Sequence, residues 1–122
     1  VEILAGACML LRKSVLDEVG LLDETYFLYG EDVDISYRIL QAGYKNYYFP
    51  ETSIIHLKGA STKKSEVKSV REFYRSMEIF CERHFTEYNR LFLLFVKLGI
   101  NVRMAFAMLG LFVRKLFAKK RC

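Results

Sequence analysis

The alternation of apolar and polar positions divides the chain into a first part of short elements and a second part that is helical. Residues 6–12 form a short and continuous apolar run, which is typical of a buried strand. Residues 44–49 are aromatic and strand-like and end at Pro50. Residues 52–57 form a third apolar run, which ends before Gly59. The pattern therefore predicts three strands in the first half of the chain.

Two helices are predicted between these strands. Ser14 is a favourable N-cap for a short helix that ends before Gly20, since glycine is common just after a helix end. A second helix of about three turns is predicted over residues 32–41, because its apolar side chains recur at helical spacing and Gly43 follows as a terminator.

From Ser65 onward the apolar spacing becomes helical. Apolar residues in steps of three and four form one stripe over about five turns, and His84 stands at its end, where the helix dipole favours a cation. The stripe predicts core packing against the sheet rather than a ligand site. Its members are Val67, Val70, Phe73, Tyr74, Met77, Phe80, Cys81 and Phe85.

Residues 91–118 are still more apolar. In one straight helix their polar residues would fall on two nearly opposite lines and leave no clean buried face, so we predict a break at Leu98 and Gly99 with helices over 87–98 and 101–118. The longest uncharged run, 104–113, would span about 15 Å against a hydrocarbon core of about 30 Å, which disfavours a membrane span. Two alternatives remain: an amphipathic helix in the lipid headgroup region, or a helix that packs on its own protein.

Length, charge and cysteine content indicate how many compact units the chain forms, which surface could bind a partner and which cellular compartment it occupies. A chain of 122 residues predicts one compact unit. Lys and Arg number 11 against 14 Asp and Glu over residues 1–89, but 8 against none over 90–122, which predicts a basic partner surface at the C-terminal end. Three cysteines without paired spacing indicate unpaired thiols and a reducing compartment, with Cys8 and Cys81 as small core residues. No signal peptide is recognised in the first 11 residues, and the start inside a strand-like run predicts a piece of a longer protein.

The densest candidate chemistry lies at the start of the second helix. Glu31, Asp32 and Asp34 repel one another, and the positive end of a helix that starts near Glu31 would offset part of that repulsion. An ordinary acidic first turn explains the cluster equally well. His56 follows about two dozen residues later, at the end of an apolar run.

The order and spacing of these motifs resemble the C-terminal half of the catalytic domain of family 2 glycosyltransferases, particularly the bacterial rhamnosyltransferase-like enzymes. The resemblance is close over about residues 1–60 and extends to the later helices in character only. The segments that carry it are 6–13, 19–24, 29–34, 41–44, 49–51 and 54–59.

This resemblance implies an α/β fold, a fragment of the Rossmann-like GT-A fold. Residues 1–62 would form the acceptor-side part of the catalytic domain, and residues 63–122 a basic, amphipathic helical region. The implied activity is inverting, metal-dependent transfer of a hexosyl or rhamnosyl group from a nucleotide-diphosphate sugar to a glycan or lipid-linked acceptor. The implied setting is bacterial cell-wall or polysaccharide synthesis in the cytoplasm. Residues 90–122 would contact the inner face of the membrane peripherally. Whether the chain forms an oligomer is left open.

The resemblance also assigns roles to residues. Asp32 corresponds to the base that takes the proton of the acceptor hydroxyl, and Glu31 to a residue that positions the acceptor or donor sugar. Asp34 either binds the acceptor or pairs with Arg38, and the ion pair is the favoured reading. Gly6 and Ala7 would let a sugar ring approach the backbone. His56 would lie near a manganese or magnesium ion, and Lys58 would open a basic loop, with Ser61, Thr62, Lys63 and Lys64, over the diphosphate.

One departure from the family limits these expectations. The nucleotide-binding half and the Asp-x-Asp motif that holds the metal do not occur before Glu31. The sequence thus predicts that the chain does not turn over substrate alone. The alternative is a non-catalytic helical module that binds a membrane or a partner protein. A nucleic-acid role is disfavoured because the basic residues lie within an apolar tail.

Overall fold

A computed structural model describes residues 1–57 and 66–119, and the side chains of the second range as far as residue 117. It contains four helices: α1 (Lys13–Val19), α2 (Glu31–Gln41), α3 (Glu66–His84) and α4 (Arg90–Lys119). The chain divides into two compact units, Val1–Lys58 and Gly59–Cys122, rather than the one unit that its length predicted. Each unit is described by itself.

The predicted α/β fold is wrong for the described residues, which include no strand and are helical. Residues 6–8 form a turn and bend, and residues 44–49 and 52–57 form no regular element. A strand exists only through hydrogen bonds to a neighbouring strand, and the described part of the first unit supplies no such ladder. As a result Leu10 is 98% exposed, and Cys8, which was predicted to be a core residue, is also exposed.

Helix ends were predicted better than the strands. α1 ends before Gly20, as predicted; the φ of Gly20 is 87° and its N–H donates to the carbonyl of Leu16 at 2.8 Å. α2 ends as expected at Gln41, and Gly43 follows two residues later with a φ of 83°. The predicted Ser14 cap is wrong, because α1 already begins at Lys13 and its N-cap is Arg12, whose side chain makes no capping hydrogen bond.

The core of the first unit is small. Val15 of α1 meets Ile35 and Ile39 of α2, and four partly buried side chains pack around them: Met9, Leu11, Leu16 and Val19. Met9 and Leu11 turn inward while Leu10 between them turns outward, which is the two-residue alternation of a strand without the strand's hydrogen bonds. The prediction of a continuous buried run over 6–12 is therefore wrong at Leu10, while Met9 and Leu11 are partly buried.

The second unit is an antiparallel pair of helices. Three polar contacts join them: Lys97 Nζ to Glu82 Oε1 at 2.5 Å, Asn101 Nδ2 to Glu78 Oε1 at 2.6 Å, and Arg114 Nη2 to Glu66 Oε1 at 2.5 Å. The apolar stripe of α3 therefore packs on α4 rather than on a sheet, and Tyr74 and Cys81 are its buried members. α3 ends at His84, as predicted.

α4 is continuous, so the predicted break at Leu98 and Gly99 is wrong. A glycine inside a helix costs only about 1 kcal/mol relative to alanine, and packing on α3 offsets it. The first turn is capped by Asn89, whose Oδ1 accepts from the N–H of Leu91 at 2.8 Å. By length and composition alone the segment Arg90–Phe117 could cross a membrane, with a mean hydropathy of 1.8 and no buried part.

Candidate active site

The acidic cluster lies in the first turn of α2. Gly30 precedes the helix with φ of 96°, a left-handed conformation that only glycine adopts without strain, and its carbonyl accepts from the N–H of Asp34 at 2.8 Å. Glu31, Asp32 and Asp34 follow directly. The three carboxylates therefore stand at the positive end of the α2 dipole, beside backbone N–H groups that have no partner within the helix.

Asp32 is held by two backbone donors. Its Oδ2 accepts from the N–H of Gly6 at 2.8 Å, and its Oδ1 accepts from the N–H of Val33 at 2.9 Å. A Cβ on Gly6 would lie 3.2 Å from Cβ and 3.4 Å from Oδ2 of Asp32. Two predicted site residues that are 26 positions apart are thus in direct contact, and the Asp32 side chain lies beside the space that the glycine leaves.

Glu31 differs from its neighbour. Its Oε2 is buried and has no hydrogen-bond donor among the described residues. A carboxylate oxygen in that position is costly unless a donor reaches it, because burial removes its water. Glu31 is therefore suited to accept a hydrogen bond from a hydroxyl or a cation brought by a ligand.

Asp34 faces inward and is 1% exposed. Nε of Arg38 donates to its Oδ2 at 2.8 Å, and the hydroxyl of Tyr26 donates to its Oδ1 at 3.4 Å. The guanidinium group continues beyond the carboxylate, with Nη1 donating to the carbonyl of Val19 at 2.5 Å and Nη2 to that of Leu21 at 2.8 Å. The geometry matches the favoured ion pair and ties α2 to the end of α1.

Sequence reasoning missed two buried polar residues that place Gly6. Ser36 Oγ accepts from the N–H of Leu4 at 3.2 Å. Asn46 Nδ2 donates to the carbonyl of Ser36 at 3.1 Å and to that of Glu2 at 2.7 Å. These bonds align the first residues with α2 and so bring Gly6 to Asp32. The only available signals were a serine beside Ile35 on the inward face of a helix and an asparagine within an aromatic run.

Two of the remaining predicted site residues, Ala7 and His56, lie within the described residues. Ala7 is exposed in the turn after Gly6. His56 is exposed and makes no hydrogen bond or ion pair within the described residues. Over 1–57 and 66–119, no three His, Cys, Asp or Glu side chains come together as a group that could hold a metal ion. These residues therefore do not fit a metal centre. Lys58 and the loop through Ser61, Thr62, Lys63 and Lys64 lie outside the described residues.

The chemical capacity of the site rests on Asp32. Its side chain is only partly covered, and its orientation is fixed by the N–H groups of Gly6 and Val33. A carboxylate in that position can accept a proton from a hydroxyl group that approaches the N-terminal end of α2.

The chain is similar to known sugar-transferring enzymes. The family described as glycosyltransferase like family 2 matches residues 1–75. N-acetylglucosaminyl-diphospho-decaprenol L-rhamnosyltransferase of Mycobacterium tuberculosis is 38% identical over 82 residues, which are 66% of this chain and 27% of the relative. Rhamnosyltransferase WbbL of Escherichia coli is 40% identical over 52 residues, 43% of this chain and 20% of the relative.

A third relative, the low-salt glycan biosynthesis hexosyltransferase Agl10 of Haloferax volcanii, is 39% identical over 33 residues, 27% of this chain and 11% of the relative. No solved structure matches the chain. The chain spans about a quarter of the length of the Mycobacterium tuberculosis relative. The family match covers more than half of the chain and includes the whole acidic cluster with its Gly6 contact. The chain therefore belongs to the glycosyltransferase-like family 2.

Proposed function

We propose that these 122 residues form the acceptor-side part of an inverting glycosyltransferase, which moves a sugar from a nucleotide-diphosphate donor to a hydroxyl group of a glycan or lipid-linked acceptor. Membership of the family supports sugar transfer. The observation that carries the proposal is the Asp32 carboxylate, fixed by the N–H groups of Gly6 and Val33 at the start of α2.

In this proposal Asp32 is the general base. As the acceptor oxygen forms its bond to the anomeric carbon, the bond from that carbon to the diphosphate oxygen breaks on the opposite face. The hydroxyl proton passes to Asp32, and the diphosphate leaves with the electron pair of the broken bond. Inversion follows because attack and departure take place on opposite faces of one carbon.

The other residues of the site either contact the substrate or hold the site in its conformation. Oε2 of Glu31 accepts a hydrogen bond from a sugar hydroxyl, which supplies the donor that this buried oxygen lacks among the described residues. Gly6 and Ala7 let the sugar approach the backbone beside Asp32. Asp34 and Arg38 hold the turn in place, since the Asp34 carboxylate is buried and Arg38 is occupied by backbone carbonyls.

The donor side of the site has to accommodate the diphosphate. Family 2 enzymes generally use a divalent metal, and manganese or magnesium is the ion expected here. The described residues do not form its site, so no step of the reaction is routed through it. His56 and Lys58 are assigned to the diphosphate side, where an imidazole and an ammonium group can donate to phosphate oxygens.

The names of the relatives guide the choice of substrates. Two transfer rhamnose, and one of these is named for an acceptor built on diphospho-decaprenol, a lipid. A rhamnosyl or hexosyl donor and a lipid-linked acceptor at the cytoplasmic face of a bacterial membrane are the corresponding proposal, with peripheral contact through 90–122. Turnover would need parts beyond these residues, because the matched segment is 27% of the Mycobacterium tuberculosis relative.

The experiment is Asp32→Asn in a transferase of the relatives' full length that carries these residues. Turnover should fall by a factor on the order of 10² to 10⁴, because the amide cannot take the hydroxyl proton. Affinity for the nucleotide sugar should stay nearly unchanged, since the leaving-group side is untouched.

The matched control is Asp17→Asn, which makes the same change in α1 at an exposed carboxylate paired with Lys13. It should retain full turnover. Near-wild-type turnover of Asp32→Asn would overturn the assignment of the base.

A further inference from the structure

The side of α4 that turns away from α3 is apolar along its whole described length. At 100° per residue its central residues fall within an arc of about 80°, and no charged residue lies within about 60° of either edge. Their side chains are between 40% and 70% exposed. This outward face consists of Leu91, Phe95, Leu98, Val102, Phe106, Leu109, Val113 and Leu116.

Basic residues border the outward face on both sides. Arg103 lies about 60° beyond one edge, and Lys119 lies about 60° beyond the other by its position on the helix. Residues 90–122 contain eight Lys and Arg and no Asp or Glu. An apolar face between two basic borders, with no acid, is complementary to an anionic headgroup layer above hydrocarbon.

The helix pair excludes a simple crossing of the bilayer. The contacts of Glu66 with Arg114 and of Glu82 with Lys97 keep α3 alongside α4 over 17 positions, about 26 Å. A membrane-spanning α4 would therefore carry the charged residues of α3 into hydrocarbon, where each is strongly disfavoured. Those residues are Glu66, Lys68, Arg71, Glu72, Arg75, Glu78, Glu82 and Arg83.

We propose that the α3–α4 pair docks on an anionic lipid surface with α4 parallel to the bilayer plane. The outward face enters the acyl boundary, the basic borders contact lipid phosphates, and α3 stays on the aqueous side. This gives the proposed membrane contact a geometry and is independent of sugar transfer.

Three phenylalanines allow the orientation to be measured. Phe95, Phe106 and Phe117 recur every 11 residues, so they lie within about 40° of one line along α4. They are 63%, 70% and 67% exposed. The chain has no tryptophan, so Phe95→Trp, Phe106→Trp and Phe117→Trp each introduce one fluorophore, with about 33 Å of helix between the first and the last.

The 122-residue variants are mixed with vesicles of phosphatidylglycerol and phosphatidylcholine that carry quenchers at known depths. The in-plane geometry predicts a blue shift of emission in all three variants and the same shallow depth for each. A spanning helix would instead place Phe106→Trp deep and the other two near opposite headgroups, and that result would overturn the proposal. Emission unchanged by vesicles would overturn it too.

A matched pair of substitutions tests the outward face. Leu109→Glu should lower binding to these vesicles by about tenfold or more, because it places a charge within the apolar face. Leu10→Glu makes the same change at a more exposed leucine of the first unit and should leave binding unchanged. Salt should weaken wild-type binding only in part, because it screens the basic borders and not the apolar face.

A second copy of the chain is the competing occupant of the outward face. Sedimentation without vesicles distinguishes the lipid surface from a second copy. The proposal predicts that the wild-type chain and Leu109→Glu have the same oligomeric state. If Leu109→Glu converts an oligomer to a monomer and leaves vesicle binding intact, the face belongs to the second copy and the proposal fails. Both measurements are made without donor or acceptor, so they stand whatever the outcome of the Asp32→Asn assay.

Discussion

The backbone N–H of Gly6 lies 2.8 Å from Oδ2 of Asp32, which makes a residue without a side chain a neighbour of the proposed base. In Gly6→Ala the new Cβ would meet Cβ of Asp32 at 3.2 Å, so the carboxylate must shift by a few tenths of an ångström. We expect kcat to fall by about tenfold with a smaller change in KM, since misplacement of a reacting group slows the chemical step. Steady-state kinetics of the full-length transferase measures this.

The control is Gly99→Ala within α4, where an added Cβ meets nothing within 4 Å. It should leave kcat unchanged and stabilise the helix by about 0.5–1 kcal/mol. Equal kinetics for the two alanine variants would show that the Gly6 contact does not position Asp32.

Loss of Arg38 should loosen the first unit. Arg38→Ala leaves the buried Asp34 without its cation and deprives the carbonyls of Val19 and Leu21 of a donor. We expect the free energy of unfolding to fall by about 3 kcal/mol. This is the low end of the range for breaking a buried ion pair, because the Arg38 side chain is 22% exposed. Amide hydrogen exchange at Ala42 reports it, since that N–H donates to the Arg38 carbonyl at the end of α2.

Lys13→Ala is the comparison, because Lys13 and Asp17 form an i,i+4 pair that is exposed on both sides. It should cost less than about 1 kcal/mol. Unchanged protection of Ala42 in Arg38→Ala would show that the Arg38 contacts do not stabilise α2.

The thiols should differ in reactivity. Burial raises the pKa of Cys81, and the charges of Glu78 and Glu82 raise it further, while Lys97 acts in the opposite direction. A raised pKa means that less thiolate is present at pH 8, and burial also hinders the reagent. In the Cys122→Ser background, Cys81 should therefore react with a disulfide reagent much more slowly than the exposed Cys8.

Stopped-flow absorbance with Cys8→Ser and Cys81→Ser, each in that background, assigns the two rates. Urea should remove the difference by exposing Cys81. Equal rates in the folded chain would mean that the α3–α4 seam opens faster than the reagent reacts.

Local signals predicted the helix ends correctly, but they also predicted strands that the described residues do not form. Gly20 and Gly43 follow the ends of α1 and α2 because glycine readily adopts a positive φ. That preference belongs to the residue itself and can be recognised in any sequence. A strand depends on a partner distant in sequence, and no pattern within 6–12 or 44–49 says whether that partner is present. The same limit hid Ser36 and Asn46, whose importance lies in bonds to Leu4 and Glu2 rather than in their neighbours.

The break predicted in α4 failed for a related reason. The break was predicted because two lines of polar residues along one helix were expected to leave no single buried face. In the structure the two lines lie on either side of the face of α4 that packs on α3. Lys97 and Arg114 come from different lines, and each reaches a glutamate of α3. Glu31, Asp32 and Asp34 could be singled out from the sequence because they form one local motif, while the roles given to them stay predictions.

The three polar contacts between α3 and α4 also fix the alignment of a seam that would otherwise tolerate sliding. Apolar side chains at helical spacing repeat nearly every heptad, so a shift by one heptad would still bring apolar residues together. In one direction that shift sets Lys97 opposite Arg75 and Asn101 opposite Arg71; in the other it sets Asn101 opposite Phe85. The first shift is disfavoured because it brings like charges together, and the second because it leaves the Asn101 amide opposite an apolar ring. Glu78 and Glu82 therefore both specify one register of the helix pair and stabilise that register.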